Sequence, residues 1–243
     1  MAALLIVSFA GAVRGYCGFG FAMIVALGLM LFVPPVQAIP LALLLDLLCG
    51  LGLLRRALRH VDAALARRLI AGMLIATPVG VWLVAYLPAD RIRLLVATIS
   101  LLGGCALLLV RRQASHTAQG SGPGRGAVPA GIASGLAMTV ASAGGPPLML
   151  YLLNTALTSS AIRATAIVFF AVSSSCSLLG FALADALTVD ILVHGAMLIV
   201  PALLGSMLGQ WLFHRRPHAS LRWSVAPLLI GLSLWVLLGQ ATH

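Results

Sequence analysis

The stretch Ala143-Gly144-Gly145-Pro146-Pro147 lies in the middle of one apolar run, residues 127–157. A transmembrane helix needs about 20 apolar residues to cross a hydrocarbon core about 30 Å thick. Glycine and proline together interrupt such a helix, because proline lacks a backbone N–H and its ring clashes with the preceding turn. The sequence therefore predicts a broken segment whose two pieces are each too short to span the membrane.

A second apolar run, residues 2–32, is interrupted in the same way by the stretch Arg14-Gly15-Tyr16-Cys17-Gly18-Phe19-Gly20. We expect both runs to form helical hairpins or discontinuous helices. Backbone freed from helical bonding at membrane depth is tolerated only where protein buries it or where it lines a cavity. The two interruptions are therefore the first candidates for a ligand site.

The composition is that of a membrane domain. Of the 243 residues, 61% are hydrophobic and 8% are charged, whereas ordinary soluble domains have roughly 25% charged residues. This excludes a soluble globular enzyme, and we expect the lipid bilayer to surround the chain. The 15 basic side chains are all arginines, and we interpret the net charge of +10 as a topology signal and not as a nucleic acid surface. Cysteines and histidines lack metal-binding spacing, so we expect no metal site and no cofactor.

Six further apolar segments are long enough to cross the membrane without interruption. A polar linker divides them equally, so we predict a first membrane repeat over residues 1–112, a cytoplasmic linker over 113–126 and a second membrane repeat over 127–243. The six segments are 35–54, 69–87, 93–110, 161–184, 189–213 and 221–239.

The two halves repeat one another in order, which predicts a duplicated unit. The corresponding positions are separated by offsets between 123 and 128 residues. They are Gly18-Phe19 with Gly144-Gly145, Gln37-Ala38 with Arg163-Ala164, Val61-Asp62 with Val189-Asp190, and Pro78 and Gly80 with Pro201 and Gly205.

The arginines predict how the halves are oriented, because arginine-rich loops face the cytoplasm. The linker is arginine-rich, whereas loop 185–190 holds two aspartates and no arginine and belongs outside. Two apolar segments lie between them, but an odd number of crossings is required, so the segment 127–157 enters and leaves on the cytoplasmic side. We therefore predict an all-α polytopic membrane protein of two inverted repeats, each a glycine-broken hairpin or discontinuous helix followed by three transmembrane helices.

Glycine-rich tips that enter from opposite faces would meet inside the bilayer and suit an anion. Peptide N–H groups at such tips and the N-termini of the following half-helices carry partial positive charge, and glycine lets the backbone approach a ligand closely. The alternative is that these glycines only permit close helix packing. The candidate substrate-binding residues at the tips are Gly18, Phe19, Gly20, Gly144, Gly145 and Pro146.

The stretches GYCGFGFAMIV from Gly15, PPVQA from Pro34, RHVD from Arg59, GGPPLMLYLL from Gly144 and IRAT from Ile162 cover both halves. Together they resemble the sulfite and organosulfonate exporter family of the TauE/SafE type. The resemblance implies a bacterial inner-membrane permease for small sulfur-containing anions. It also implies that the paired glycine-rich regions and the residues just after them lie near the substrate.

Three polar side chains are further candidates for contact with an anion. Arg163 could bind an oxyanion through its planar guanidinium, or it could snorkel to the cytoplasmic interface. Gln37, its counterpart, offers an amide donor or caps the next helix. Arg14 lies inside the first interruption, where a cation is costly and an anionic substrate is a natural partner; the alternative is a water-exposed residue at the hairpin mouth.

Asp46 is the one carboxylate in the middle of a predicted span. A buried aspartate favours its neutral form, as a proton-coupling group requires. The alternative is a structural aspartate hydrogen-bonded to Arg14 or to a neighbouring hydroxyl.

These features predict a secondary transporter that exports small anions, sulfite or organosulfonates, by alternating access, with proton coupling and homo-oligomerisation left open. An anion channel on the same scaffold is the first alternative. An intramembrane hydrolase built on Ser142 and His194 is the second, and it lacks a recognisable nucleophile context.

Overall fold

A computed structural model describes residues 2–17, 20–109, 124 and 126–215. Every regular element in this part of the chain is an α-helix, which confirms the all-α prediction there. The helices are α1 (Ala2–Cys17), α2 (Phe21–Leu29), α3 (Pro35–Ala57), α4 (Ala63–Tyr86), α5 (Ala89–Leu109), α6 (Ala127–Ala141), α7 (Gly145–Leu152), α8 (Ser159–Leu183) and α9 (Val189–Arg215).

Both predicted interruptions separate two helices. The first lies between α1 and α2, where Gly20 precedes α2 with φ +91°. The second lies between α6 and α7, where Ser142 adopts φ +53°. Pro146 and Pro147 occupy the first turn of α7, where the missing N–H costs no helical hydrogen bond.

Each broken run folds back on itself as a hairpin. A Cβ atom built on Gly28 of α2 would lie 2.6 Å from Cγ2 of Ile6 in α1, whereas a continuous helix would separate these residues by about 33 Å. In the second run, a Cβ atom on Gly126 would lie 3.5 Å from Cε2 of Tyr151 at the end of α7. We refer to α1–α2 as the first hairpin and to α6–α7 as the second hairpin.

Four helices are long and apolar enough to cross a membrane, and α1 and α6 are shorter apolar helices. Large apolar side chains such as Leu5, Trp82 and Leu204 are more than half exposed, as expected where lipid replaces water. The chain is a multi-pass membrane protein. The four candidate spans are Pro35–Ala57, Ala63–Tyr86, Ser160–Leu183 and Val189–Leu212, and the predicted segment 221–239 lies outside the described residues.

Helix α4 begins six residues before the apolar run 69–87 that predicted it. Asp62 ends the preceding turn, and its Oδ1 accepts a hydrogen bond of 2.9 Å from the backbone N–H of Leu65. This capping interaction starts α4 at Ala63, so Arg67 and Arg68 lie within the helix and not in the loop before residue 69. Hydrophobicity alone misses this start, because Arg67 and Arg68 interrupt the apolar pattern just after the first turn.

Glycines bring two pairs of helices into backbone contact. A Cβ atom on Gly11 or Gly15 of α1 would collide with the backbone of α9, and Gly205 and Gly209 of α9 pack on α1. The contacts advance along both helices together, so α1 and α9 run parallel. Helices α4 and α6 are parallel and packed in the same way, through Gly72, Gly131 and Gly135.

Helices α3 and α8 cross the interior in opposite directions. The middle of α3 contacts the middle of α8, where Ser174 is hydrogen-bonded to Asp46. The end of α3 contacts the start of α8, where Ala57 and Ala164 share one apolar cluster. Helices α3 and α8 are therefore antiparallel.

Candidate functional site

The two hairpins meet on α5. A Cβ atom built on Gly103 would lie 2.8 Å from Cγ of Pro146 and 3.8 Å from Cε of Met23. Pro146 and Met23 both lie within a turn of the start of the helix that follows each interruption. The structure thus brings the regions after both breaks to one point of the interior.

A buried ion pair joins the first hairpin to α3. Arg14 and Asp46 are the only charged side chains of the described residues that are buried, at 6% and 7% exposure. The Arg14 guanidinium donates through Nη1 to Oδ1 of Asp46. Ser174 of α8 donates to the second oxygen, Oδ2, at 3.3 Å. This cluster links α1, α3 and α8.

The surroundings of the Arg14 guanidinium leave part of it uncommitted. Its Cζ lies 5.8 Å from the ring centroid of Phe21, within the distance at which a cation is attracted to an aromatic face. A Cβ atom on Gly50 would lie 2.9 Å from Nη2, so glycine provides the room for this end of the side chain. Among the described residues, Nε has no hydrogen-bond partner. A guanidinium has five N–H donors, and Asp46 uses only part of that capacity.

The second half contains a neutral contact at the corresponding place. Thr139 of α6 and Ser177 of α8 are hydrogen-bonded through their hydroxyls at 2.8 Å. Each hairpin is therefore joined to the long helix that follows it by one pair of polar side chains. The pair is ionic in the first half and uncharged in the second.

For Asp46, the structure shows the partners that one of the two interpretations required, an arginine and a hydroxyl. Its role in proton coupling stays a prediction. For Arg14, the partner in this structure is the Asp46 carboxylate, and the side chain is buried and not exposed at a hairpin mouth.

Glycine occupies the positions at the tips for different physical reasons. Gly20 has nothing within 4 Å of a built Cβ atom, and its positive φ explains the residue type. A Cβ atom on Gly144 would lie 2.8 Å from the Ser134 carbonyl oxygen, so close packing accounts for this glycine. Gly145 is buried at the start of α7. Gly18 and Phe19 lie outside the described residues.

Arg163 and Gln37 lie away from the ion pair. Arg163 is half-buried near the start of α8, about 16 Å along the helix axis from Ser174. Gln37 is exposed in the first turn of α3, about 13 Å along that axis from Asp46. Their roles in binding stay predictions.

The two residues of the hydrolase alternative lie in different environments. Ser142 is buried at the tip of the second hairpin. His194 is exposed, and its Nδ1 lies 2.6 Å from the carbonyl oxygen of Asp190.

Sequence reasoning did not single out Phe21 and Gly50 beside Arg14, or the close helix interfaces. The interfaces had a recognisable signal, because glycines spaced four residues apart are typical of close helix packing in membranes. These pairs are Gly11 with Gly15, Gly131 with Gly135, and Gly205 with Gly209.

A comparison with protein families found one model, described as Sulfite exporter TauE/SafE, that matches residues 3–236. The match covers both hairpins and both halves of the chain. Searches of characterised proteins and of solved structures found no match.

Proposed function

Because the chain belongs to the TauE/SafE sulfite exporter family, we propose that it exports sulfite or a small organosulfonate across a bacterial inner membrane. The coarser assignment, a multi-pass protein of a family of membrane anion exporters, follows from the family match and the apolar helices. The substrate, its direction of movement and the mechanism are the parts we propose.

The meeting of the two hairpins at Gly103 is the observation that supports a transport site most directly. Non-helical backbone inside a membrane domain is tolerated where protein buries it or where it lines a cavity. A buried arginine belongs to the first hairpin, and guanidinium groups bind oxyanions well. An anion site between the hairpin tips and Arg14 therefore fits the chemistry of the cargo.

We assign the binding of the anion to Arg14 and to backbone at the two tips. The tip residues are Gly18, Phe19, Gly20, Gly144, Gly145 and Pro146. Arg163 and Gln37 lie farther along α8 and α3 and are assigned to the path by which the anion enters or leaves.

The proposed mechanism is alternating access between two inverted repeats, residues 1–112 and 127–243. The antiparallel crossing of α3 and α8, which occupy corresponding places in the halves, supports the inversion. The parallel pairs α1–α9 and α4–α6 also support it, because exchanging the halves turns one pair into the other. In such proteins, one repeat moves against the other around a central site.

A flux assay with the purified full chain in proteoliposomes tests the proposal. Sulfite, ethanesulfonate and chloride are compared, each with and without a pH gradient. We expect saturable uptake of sulfite or ethanesulfonate at a rate well above that of chloride. Fast, non-saturating flux of all anions would indicate the channel alternative, and no flux of any anion would overturn the proposed function.

A further inference from the structure

Among the side chains that the structure describes, the interior has no spare positive charge. Arg14 and Asp46 neutralise one another, and the other charged side chains of this set are half-buried or exposed. A monoanion that joined this pair would leave one net negative charge in the interior. Desolvating an uncompensated ion costs several kcal/mol. One proton would restore neutrality.

We propose that the substrate anion and the Asp46 carboxylate compete for the Arg14 guanidinium, so that each monoanion binds together with one proton on Asp46. The inference rests on the proposed function and specifies how its site is coupled. The anion takes the place of the carboxylate, and the proton goes to the carboxylate oxygen that Arg14 releases. The loaded site then has the same net charge as the empty one.

The contacts of both partners support this exchange. Arg14 has a buried Nε without a hydrogen bond among the described residues, so a bound oxyanion gains a donor that Asp46 does not use. Asp46 keeps Ser174 at Oδ2 when Arg14 leaves Oδ1, because the unprotonated oxygen of a neutral carboxyl group still accepts from a hydroxyl. Both forms of Asp46 therefore have a partner.

Few other groups near Asp46 can titrate. Helices α2 and α6 carry no ionisable side chain, and α4 and α5 carry their charged residues in their first two turns. Helix α9 faces α3 with Gly195, next to the exposed His194. The thiols on the helices that pack against one another here are Cys49, within one turn of Asp46 on α3, Cys105 on α5 and Cys176, two residues after Ser174 on α8. Among these groups, the Asp46 carboxylate is the one in contact with the arginine.

Calorimetric titration of the detergent-solubilised full chain with ethanesulfonate tests the stoichiometry. This probe keeps one negative charge across the pH range, so any proton uptake belongs to the protein. Titrations in two buffers of different ionisation enthalpy should give about one proton taken up per anion, and wherever one proton is taken up the affinity should fall about tenfold for each unit of rising pH. Binding without proton uptake would overturn the inference.

Two variants distinguish a loss of proton uptake from a general loss of folding. Asp46→Asn should bind ethanesulfonate with no proton uptake and an affinity independent of pH, because Arg14 then has no carboxylate competitor. Ser177→Ala is the matched control, because it removes the hydrogen bond to Thr139 in the other half and should keep the proton uptake. If Asp46→Asn does not fold, the wild-type titration still shows whether a proton is taken up with the anion.

A flux experiment distinguishes this inference from the proposed function. Because a monoanion and a proton move together, an imposed potassium diffusion potential should leave wild-type ethanesulfonate flux unchanged, and a pH gradient should drive it. Flux that follows the potential and ignores the pH gradient would overturn the coupling and leave the transporter in place. No flux of any tested anion would overturn both.

Discussion

Arg14 is neutralised by a carboxylate 32 residues away in the sequence. Breaking a buried ion pair by removing one partner typically costs 3–5 kcal/mol, since the other charge is left without compensation. The room beside the guanidinium matters for the same reason, because a shift of the Arg14 side chain changes its contact with Asp46. At the residue scale, the site is thus controlled by small neighbours as much as by charged ones.

Gly50 and Gly52 offer a matched test of that room. A Cβ atom on Gly50 would lie 2.9 Å from Nη2 of Arg14, whereas Gly52 has nothing within 4 Å. We expect Gly50→Ala to weaken anion binding at least several-fold, because the guanidinium must shift. Gly52→Ala should keep the affinity and stabilise α3 by about 0.5–1 kcal/mol, as alanine is the better helix former. Binding assays and thermal unfolding in detergent measure both, and equal affinity in the two variants would contradict the role of Gly50.

Arg163 can be tested by keeping its charge and changing its shape. If its guanidinium contacts the oxyanion through two N–H groups, Arg163→Lys should weaken binding by about 1.5–3 kcal/mol, the range for a hydrogen bond to a charged group. Arg67→Lys, at an exposed arginine of α4, is the control and should bind normally. Wild-type affinity in Arg163→Lys would leave Arg163 as an interface residue.

The candidate charged residues could be found from the sequence, but their contacts could not. Arg14 and Asp46 stand out because ionisable groups are rare in apolar segments, and their pairing was one of two interpretations. The choice depends on how far the first hairpin inserts along α3, which no local pattern specifies. Phe21 and Gly50 could not be distinguished from other residues of their types, because apolar residues and glycines are common throughout this chain.

At the element scale, the two interruptions were predictable because glycine and proline act on their own helix. The start of α4 was not predicted, because the Asp62 side chain caps this helix at a point that the apolar pattern does not mark. The return of α2 along α1 was left open as a hairpin or a discontinuous helix. The contact of Gly28 with Ile6 shows that the run is a hairpin. The sequence left this open because the contact depends on tertiary packing.

A disulfide can test the first hairpin directly. On a background without the native cysteines, Ile6→Cys with Gly28→Cys should form a disulfide on mild oxidation, because a Cβ atom at position 28 would contact the side chain of residue 6. Protection of both thiols from a maleimide reagent measures the bond. Leu5→Cys with Gly28→Cys is the control, as Leu5 is 70% exposed. Free thiols in the first pair would contradict the hairpin.

At the scale of the whole molecule, the arginines predict which side of the membrane each loop faces. Gly124, near the end of the predicted linker, lies beside the start of α4, since a Cβ atom on Gly124 would meet the Arg68 side chain. Gly124 and the arginines of α4 therefore lie at the same end of the molecule, in agreement with a cytoplasmic position for both. The loop 185–190, before α9, is predicted to face the opposite side.

Cysteine labelling in intact cells tests this orientation. On the same cysteine-free background, Thr188→Cys should react with a membrane-impermeant maleimide, whereas Ser115→Cys in the linker should react only after permeabilisation. Labelling of both positions from one side would contradict the inverted repeats. Because the arginines orient the chain, their removal should change the side of the membrane on which these positions lie.

Asp46 and Ser174 are 128 residues apart, as are Asp62 and Asp190, which are predicted to correspond in the two halves. If the halves descend from one gene, its product assembled as an antiparallel homodimer in which these two positions held the same residue. In such a dimer an aspartate at this position would face a second aspartate, and a serine would face a second serine. Joining the copies in one polypeptide let the two positions differ, so a single aspartate can face a serine and the buried ion pair can be confined to one half.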